Sequence, residues 1–297
     1  DDMSALWGFD FSAHGVVNAA VWNAAPHSET EMLAMLTNGL ANNPLFPFTP
    51  VSYPVTDLES STAFDSDSRQ RVGEGSQDDF RRVYGDHDWY FYPRLGQTSL
   101  EITAKAGNAA TDPHFDGPAT IQFLRAGGES GPDVLLDEFT VTADNITVVT
   151  DTFEVPDPAL YIVRVIDPGV IVHLKWNKDL NQMTHTPLEG GAYHLGGNHA
   201  YFYVPKDKNE IGVYLGRDGS EIHRPDGNIA YSSTGVAEVV AIPIENEADK
   251  GAVWKIYCRG ANNSANGCYL LNVPPQVARS PKELLIQKSL KIQDQIQ

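Results

Sequence analysis

His185, His194 and His199 fall in one stretch beside Tyr193 and Gly196-Gly197. Imidazoles gathered in this way could hold a transition metal or move protons near neutral pH. Their irregular spacing matches no metal-binding pattern, and scattered loop histidines are the simpler reading. A second candidate is Asp112-Pro113-His114-Phe115-Asp116-Gly117. Alternate positions of an extended chain project to one side. Asp112 and Asp116 could therefore offer carboxylate oxygens to calcium, the candidate cofactor, while Gly117 lets the chain turn away. Histidine is a poor calcium ligand and further oxygens would have to come from elsewhere, so a solvated acidic loop is the simpler reading here too. Asp218-Gly219-Ser220-Glu221 and Asp226-Gly227-Asn228 read as turns before they read as ion loops.

No GxSxG elbow, HExxH helix, phosphate-cradling GxxxxGK[ST] or GxGxxG appears, and no catalytic residue is assigned. A carboxylate-based glycosidase or lyase stays open, because two acids at a working separation in space leave no fixed spacing in sequence. Aromatic side chains are the other candidate ligand-binding groups, since a flat ring can stack on the apolar face of a sugar. Trp89, Trp176, Tyr193, Tyr201, Tyr203 and Tyr231 are in this class. Strand alternation that buries Trp89 and Phe91 turns Tyr90 and Tyr92 outwards, and it places Tyr201 and Tyr203 together on one face. Tyr90, Tyr92, Tyr201 and Tyr203 are thus the expected ligand-binding set, with core packing the default role for the remaining aromatics.

These residues are carried on a pattern that occurs twice. Asp86-His87-Asp88-Trp89-Tyr90-Phe91-Tyr92-Pro93 recurs as Asn198-His199-Ala200-Tyr201-Phe202-Tyr203-Val204-Pro205. Each copy is an aromatic strand closed by proline, and each is followed by an alternating run, Ser99–Thr103 or Glu210–Tyr214. Further strand-like runs, Ala119–Leu124, Glu138–Thr142, Ile146–Phe153 and Leu160–Val165, are separated by Gly-, Asn-, Asp- and Pro-rich turns at sandwich spacing. Val236–Ile244 and Val253–Cys258 continue the plan in the second copy. The expected fold is mainly β, with two tandem jelly-roll-like β-sandwich modules at 81–176 and 177–279. Residues 1–80 form a partly helical N-terminal region, and 280–297 a C-terminal helix. In the N-terminal region, Ser28-Glu29-Thr30-Glu31 is a capping box for a helix ending at Asn38-Gly39. Prolines at 44, 47, 50 and 54 make a strap, and Asp57 to Asp79 a linker. Ser280-Pro281-Lys282-Glu283 is a second capping box, expected to open the C-terminal helix.

The aromatic stretch at Asp86–Phe91, together with the closing run Pro158-Ala159-Leu160-Tyr161-Ile162-Val163-Arg164-Val165, resembles the bacterial pre-peptidase C-terminal domain. The resemblance covers about a quarter to a third of the chain, and a second module more loosely. It implies jelly-roll-like sandwiches of a kind appended to secreted bacterial enzymes, some relatives of which bind calcium and help engage the substrate. Asn198 and Ala200 stand where the first copy has Asp86 and Asp88, so any role of those acids is expected in the first copy alone.

Charge and cysteine usage bound the partners. A formal net charge of −18 repels nucleic acid and anionic membrane. Cys258 and Cys268 flank an Asn/Gly-rich stretch between strand-like runs, the setting for a disulfide pinning a hairpin and for an oxidising compartment. No apolar run is long enough for a transmembrane segment. The expectation is a secreted or cell-surface protein that binds polysaccharide or another extracellular polymer without transforming it, two modules on one chain adding avidity. A self-assembling surface subunit is the alternative, with Asn145 and Asn262 as possible glycan acceptors. A carbohydrate-active enzyme is the third reading.

Overall fold

The computed structural model describes residues 51, 53, 58–60, 81–84, 86–107, 117–127, 131–144, 146–166, 171–176, 182–185, 199–215, 218–234, 238–259, 268–278 and 280–294. Its strands in chain order begin with β1 (Leu58–Ser60), β2 (Arg81–Tyr84), β3 (His87–Tyr92), β4 (Ser99–Gly107) and β5 (Ala119–Arg125). Next come β6 (Val134–Val141), β7 (Val148–Glu154), β8 (Tyr161–Ile166), β9 (Ile171–Trp176) and β10 (Gln182–His185). The second series is β11 (His199–Val204), β12 (Glu210–Leu215), β13 (Glu221–His223), β14 (Ile229–Ser232), β15 (Glu238–Pro243), β16 (Ala252–Tyr257) and β17 (Cys268–Leu270). A last strand, β18 (Leu285–Gln287), leads into α1 (Lys288–Asp294), the one α-helix among the described residues. The protein is mainly β, as the alternating runs imply, and its described strands pair antiparallel.

Two compact units form, Pro54–Thr186 with Gln276–Gln297 and Asp1–Tyr53 with Pro187–Pro275. The first joins a five-stranded sheet, β10-β3-β8-β5-β6, to a four-stranded sheet, β2-β9-β4-β7. Both sheets contribute to one apolar core: Trp89, Phe91, Ile121, Phe123, Tyr161 and Val163 from one, Leu100, Ile102, Phe153, Leu174 and Trp176 from the other. The Tyr161 hydroxyl lies 2.9 Å from the carbonyl and 2.7 Å from the carboxylate of Asp157. Burial first, and then that carboxylate, push the phenol up to about 12, so it stays protonated and pins the turn before β8.

The second unit holds the sheets β11-β16-β13-β14 and β15-β12-β17. Its topology is that of the first sandwich with eight added to each strand number: 3-8-5-6 becomes 11-16-13-14, and 9-4-7 becomes 17-12-15. The tandem repeat expected from the aromatic motifs is therefore present in strand order, with Phe91 and Phe202 on equivalent strands. Each aromatic strand pairs with the closing run of its own copy, Phe91 opposite Tyr161 and Phe202 opposite Trp254.

The register also corrects the alignment of the copies. Ala200, Phe202, Val204, Trp254, Ile256 and Ile222 share the fully buried face of their sheet, while His199, Lys255 and Glu221 share the other. With Phe91 and Phe202 superposed as inward residues, His199 and not Ala200 occupies the position of Asp88. Asp88 itself faces Arg164, which grips it through Nε and Nη2 at 2.8 Å each and reaches Asp133 at 3.2 Å. The acid that the resemblance singled out serves a cross-strand ion pair.

Three expectations on element bounds change. The capping box at Ser280 forms only a 3₁₀ turn, Pro281–Glu283, and the helix starts at Lys288. Between them Leu285–Gln287 is extended, because it pairs with Leu58–Ser60, three residues expected in the linker. That β1–β18 pair covers the outer face of the five-stranded sheet: Leu58 and Leu285 pack with Tyr90, Leu124 and Ile162. β10 pairs with β3, so Gln182–His185 joins the first sandwich and not, as the expected boundary at 176/177 implies, the second. The helix expected at 28–38 lies outside the described residues. Of the strap, Val51 donates its amide to the Leu271 carbonyl (2.9 Å) and Tyr53 its hydroxyl to the Asn272 carbonyl (3.2 Å).

Candidate functional site

The outer face of the sheet β11-β16-β13 gathers titratable and aromatic groups in two rows. His199, Tyr257 and Glu221 stand opposite one another across the three strands, and Tyr201, Lys255 and His223 form the next row. Cross-strand neighbours on one face lie about 4.5–5.5 Å apart at Cβ, so six side chains from three strands make one patch. The His199 ring lies 4.8 Å from that of Tyr257 and 5.5 Å from that of His223. His199, Tyr257, Glu221 and Lys255 are half-exposed, whereas His223 and Tyr201 are buried.

The His223 ring is held through one nitrogen: Nδ1 lies 3.3 Å from the Gly227 carbonyl, while Nε2 lies 2.9 Å from Glu221 Oε2 without hydrogen-bonding to it. That carbonyl is set by a tight turn. Gly227 has φ +90°, a left-handed conformation costly for any residue with a Cβ, and Asp226 Oδ1 accepts the Asn228 amide at 2.9 Å. The Asp226-Gly227-Asn228 signal is thus a turn that positions a site residue. Gly219 in the other motif also turns left-handed, at φ +72°.

His199 is held below its ordinary value of 6.5, chiefly by burial and then by the charges of Lys255 and His223, with Glu221 opposing. The ring is therefore neutral at pH 7 and presents one donor and one acceptor. A lowered folded-state value means that the unfolded chain takes up the proton first as pH falls through about 6.5. The stability contributed by neutral His199 is therefore lost on acidification, until the folded ring also protonates. His199→Gln is expected to remove this part of the pH dependence. Thermal midpoints measured from pH 8 to pH 5 should diverge in the variant's favour as pH falls, and a constant offset would sink the assignment.

The tyrosines expected to bind ligand occupy other environments. Tyr90 is 2% exposed beneath Leu58 and Leu285, and Tyr92 packs half-buried beside it. Tyr201 and Tyr203 do share a face, as alternation requires, but are only 5% and 1% exposed. Outward on the pleat is not outward to water, as the β1–β18 pair over Tyr90 shows. Trp89 and Trp176 meet edge to face at 5.0 Å inside the first core. Tyr231 is half-buried and donates to Glu238 Oε2 at 2.8 Å. Asp112, Asp116, His114, Tyr193 and His194 lie outside the described residues. His185 closes β10 in the first sandwich, whereas His199 belongs to the other unit. Among the described residues no three His, Cys, Asp or Glu side chains are grouped to hold a metal ion. No helix among them is long and apolar enough to cross a membrane.

Sequence reasoning found His199 and read Glu221 only as the end of a turn, but missed Tyr257, Lys255 and His223. The available signal was alternation in β16, where Val253, Lys255 and Tyr257 share one face. Cys258 and Cys268 are joined, with Cα atoms 6.0 Å apart. The bond does not pin a hairpin, because β16 pairs with β11 and β13 whereas β17 pairs with β12 in the other sheet. It ties together the two ends of a crossing between sheets.

No family model matches the chain, and no curated protein matches it either.

Proposed function

We propose that this is a non-catalytic, extracellular binding or adhesion protein whose second sandwich takes a polysaccharide on the face carrying His199, Tyr257, Glu221 and Lys255. The observation that carries the reading is the half-exposed row of His199 and Tyr257, two rings in contact at 4.8 Å, continued by the Glu221 carboxylate. The rings offer apolar contact to a sugar. Glu221 accepts hydrogen bonds, Lys255 donates them, and neutral His199 and the Tyr257 hydroxyl do both. A disulfide supports an oxidising compartment, and a net charge of −18 opposes nucleic acid.

Strand order is shared between the sandwiches, but the equivalent place in the first is filled by the Asp88–Arg164 ion pair. One site per chain is expected rather than the two that the repeated motif implied. Calorimetry and pull-down against soluble and insoluble glycans test this. Tyr257→Ala and His199→Ala should each weaken binding about three- to tenfold, the scale of one aromatic contact, at a stoichiometry of one ligand site per chain. Binding unchanged in both variants removes the site, and release of reducing ends makes the protein an enzyme.

A further inference from the structure

Residues 131–138 are exposed without interruption, and they include Val134, Leu135 and Leu136 at 52%, 47% and 41% exposure. These three adjacent aliphatic side chains open β6, which ends the five-stranded sheet; among the described residues no strand pairs with its outer side. A sheet edge left in water is ordinarily blunted by charge, proline or shortness. Here the first half of the edge is instead apolar on both sides of the strand, and it contributes nothing to the core of its own sandwich, which begins along β6 only at Phe139 and Val141.

The two acids next along the strand identify the occupant. Asp137 and Glu138 are exposed and already oriented: Asp137 Oδ1 accepts the Glu138 amide at 2.8 Å, and Glu138 Oε2 accepts Gln122 Nε2 at 3.0 Å. A second copy is a poor partner. Antiparallel pairing of β6 with itself about Leu135 brings triplet to triplet but sets each Asp137 opposite the other copy's Asp133. Other registers set the acids against each other or against the triplet, and each chain carries a net charge of −18. The pairing of β6 with β5 also slips by one residue between Leu135 and Asp137, leaving Leu136 as a bulge that breaks a long continuous ladder. The complementary surface is aliphatic side chains followed by Lys or Arg. We infer that the exposed start of β6 is a docking edge for an apolar-and-basic segment of another protein, held by side-chain contact with Val134, Leu135 and Leu136 and by ion pairs with Asp137 and Glu138.

The test uses the full chain and a labelled synthetic peptide in which leucines are followed by lysines, read by fluorescence anisotropy. The peptide should bind, and a glutamate-for-lysine version should not. Leu135→Ser with Leu136→Ser should lower affinity about tenfold. Asp137→Asn with Glu138→Gln should lower it and flatten its salt dependence. All four positions are exposed, so both double variants keep the fold. Absence of binding overturns the inference, as does equal binding by parent and both variants, which would mean diffuse attraction to an acidic protein. Sedimentation showing a dimer that the leucine variant abolishes also overturns it, because the edge would then belong to a second copy.

Discussion

Phe123→Ala is expected to destabilise the first sandwich by about 3–5 kcal/mol, the range for deleting a fully buried aromatic ring that leaves a cavity. Phe123 is the middle ring of a stack that crosses the core. Its centroid lies 4.9 Å from Phe153 at an interplanar angle of 12°, and 5.1 Å from Tyr161 at 8°. Phe153 comes from β7 in the facing sheet, and Phe139 extends the stack at 5.9 Å from it. Removing the middle ring strips contact from both neighbours, and neither can move to fill the gap. Tyr161 is held through its hydroxyl by Asp157, and Phe153 is fixed opposite Leu100 in the ladder with β4. Phe123→Leu keeps most of the volume and should cost less than half as much. Urea denaturation followed by far-UV circular dichroism gives both values. A loss near 1 kcal/mol for alanine, about the ordinary size for a point substitution, would show that the site collapses and that the stack is not the keystone of this core.

The strand content was legible because alternation and turn chemistry are local. Ala119–Leu124 and Glu210–Tyr214 became β5 and β12 within a residue or two of their expected ends. The strands that escaped notice are mostly short, such as β1, β10 and β13, with the six-residue β9 the exception. The helix boundary at Ser280 was misread for a different reason. Capping residues announce that a chain can begin a helix, but Leu285 gains more by burial against Tyr90 and Leu124 than a helical turn would return.

The candidate site was legible only in part, and the failure traces to one residue. Matching the copies on their histidines aligns Ala200 with Asp88; matching them on the inward phenylalanine aligns His199 with Asp88. A slip of one position exchanges the two faces of a strand. On the first alignment the second copy merely loses an acid. On the second it replaces a cross-strand ion pair, Asp88 with Arg164, by a cross-strand ring pair, His199 with Tyr257. The two copies thus share a strand order, which is set by apolar alternation, while the same polar position serves a different use in each. The burial of Tyr201 and Tyr203 was not readable at all, since alternation reports which face a side chain takes and not what lies over that face.

Converting Cys258 and Cys268 together to alanine is expected to cost about 2–3 kcal/mol, the chain-entropy value for a loop of this size, here one closed between residues ten positions apart. The cost has a topological origin. In the first sandwich the chain passes from Ile166 at the end of β8 to Ile171 at the start of β9, a short crossing between sheets. The equivalent crossing in the second sandwich runs from Tyr257 to Cys268, and the longer segment would leave β17 loosely tethered. β17 has only three residues, paired with β12, so its own ladder is a weak anchor. Asn272 assists from just beyond it, accepting the Gly212 amide at 2.6 Å and donating to the Glu210 carbonyl at 3.2 Å. The disulfide restores the short tether, and both sulfur-bearing residues are buried between the sheets at 0% and 1% exposure. Reduction should therefore be slow in the native protein and rapid in urea. Once reduced, the parent should unfold at the same urea concentration as the double variant. Thiol titration of the unfolded, unreduced chain should find no reactive sulfur. Two reactive thiols, or a double variant as stable as its parent, would show that the β12–β17 ladder and Asn272 hold the crossing without the bond.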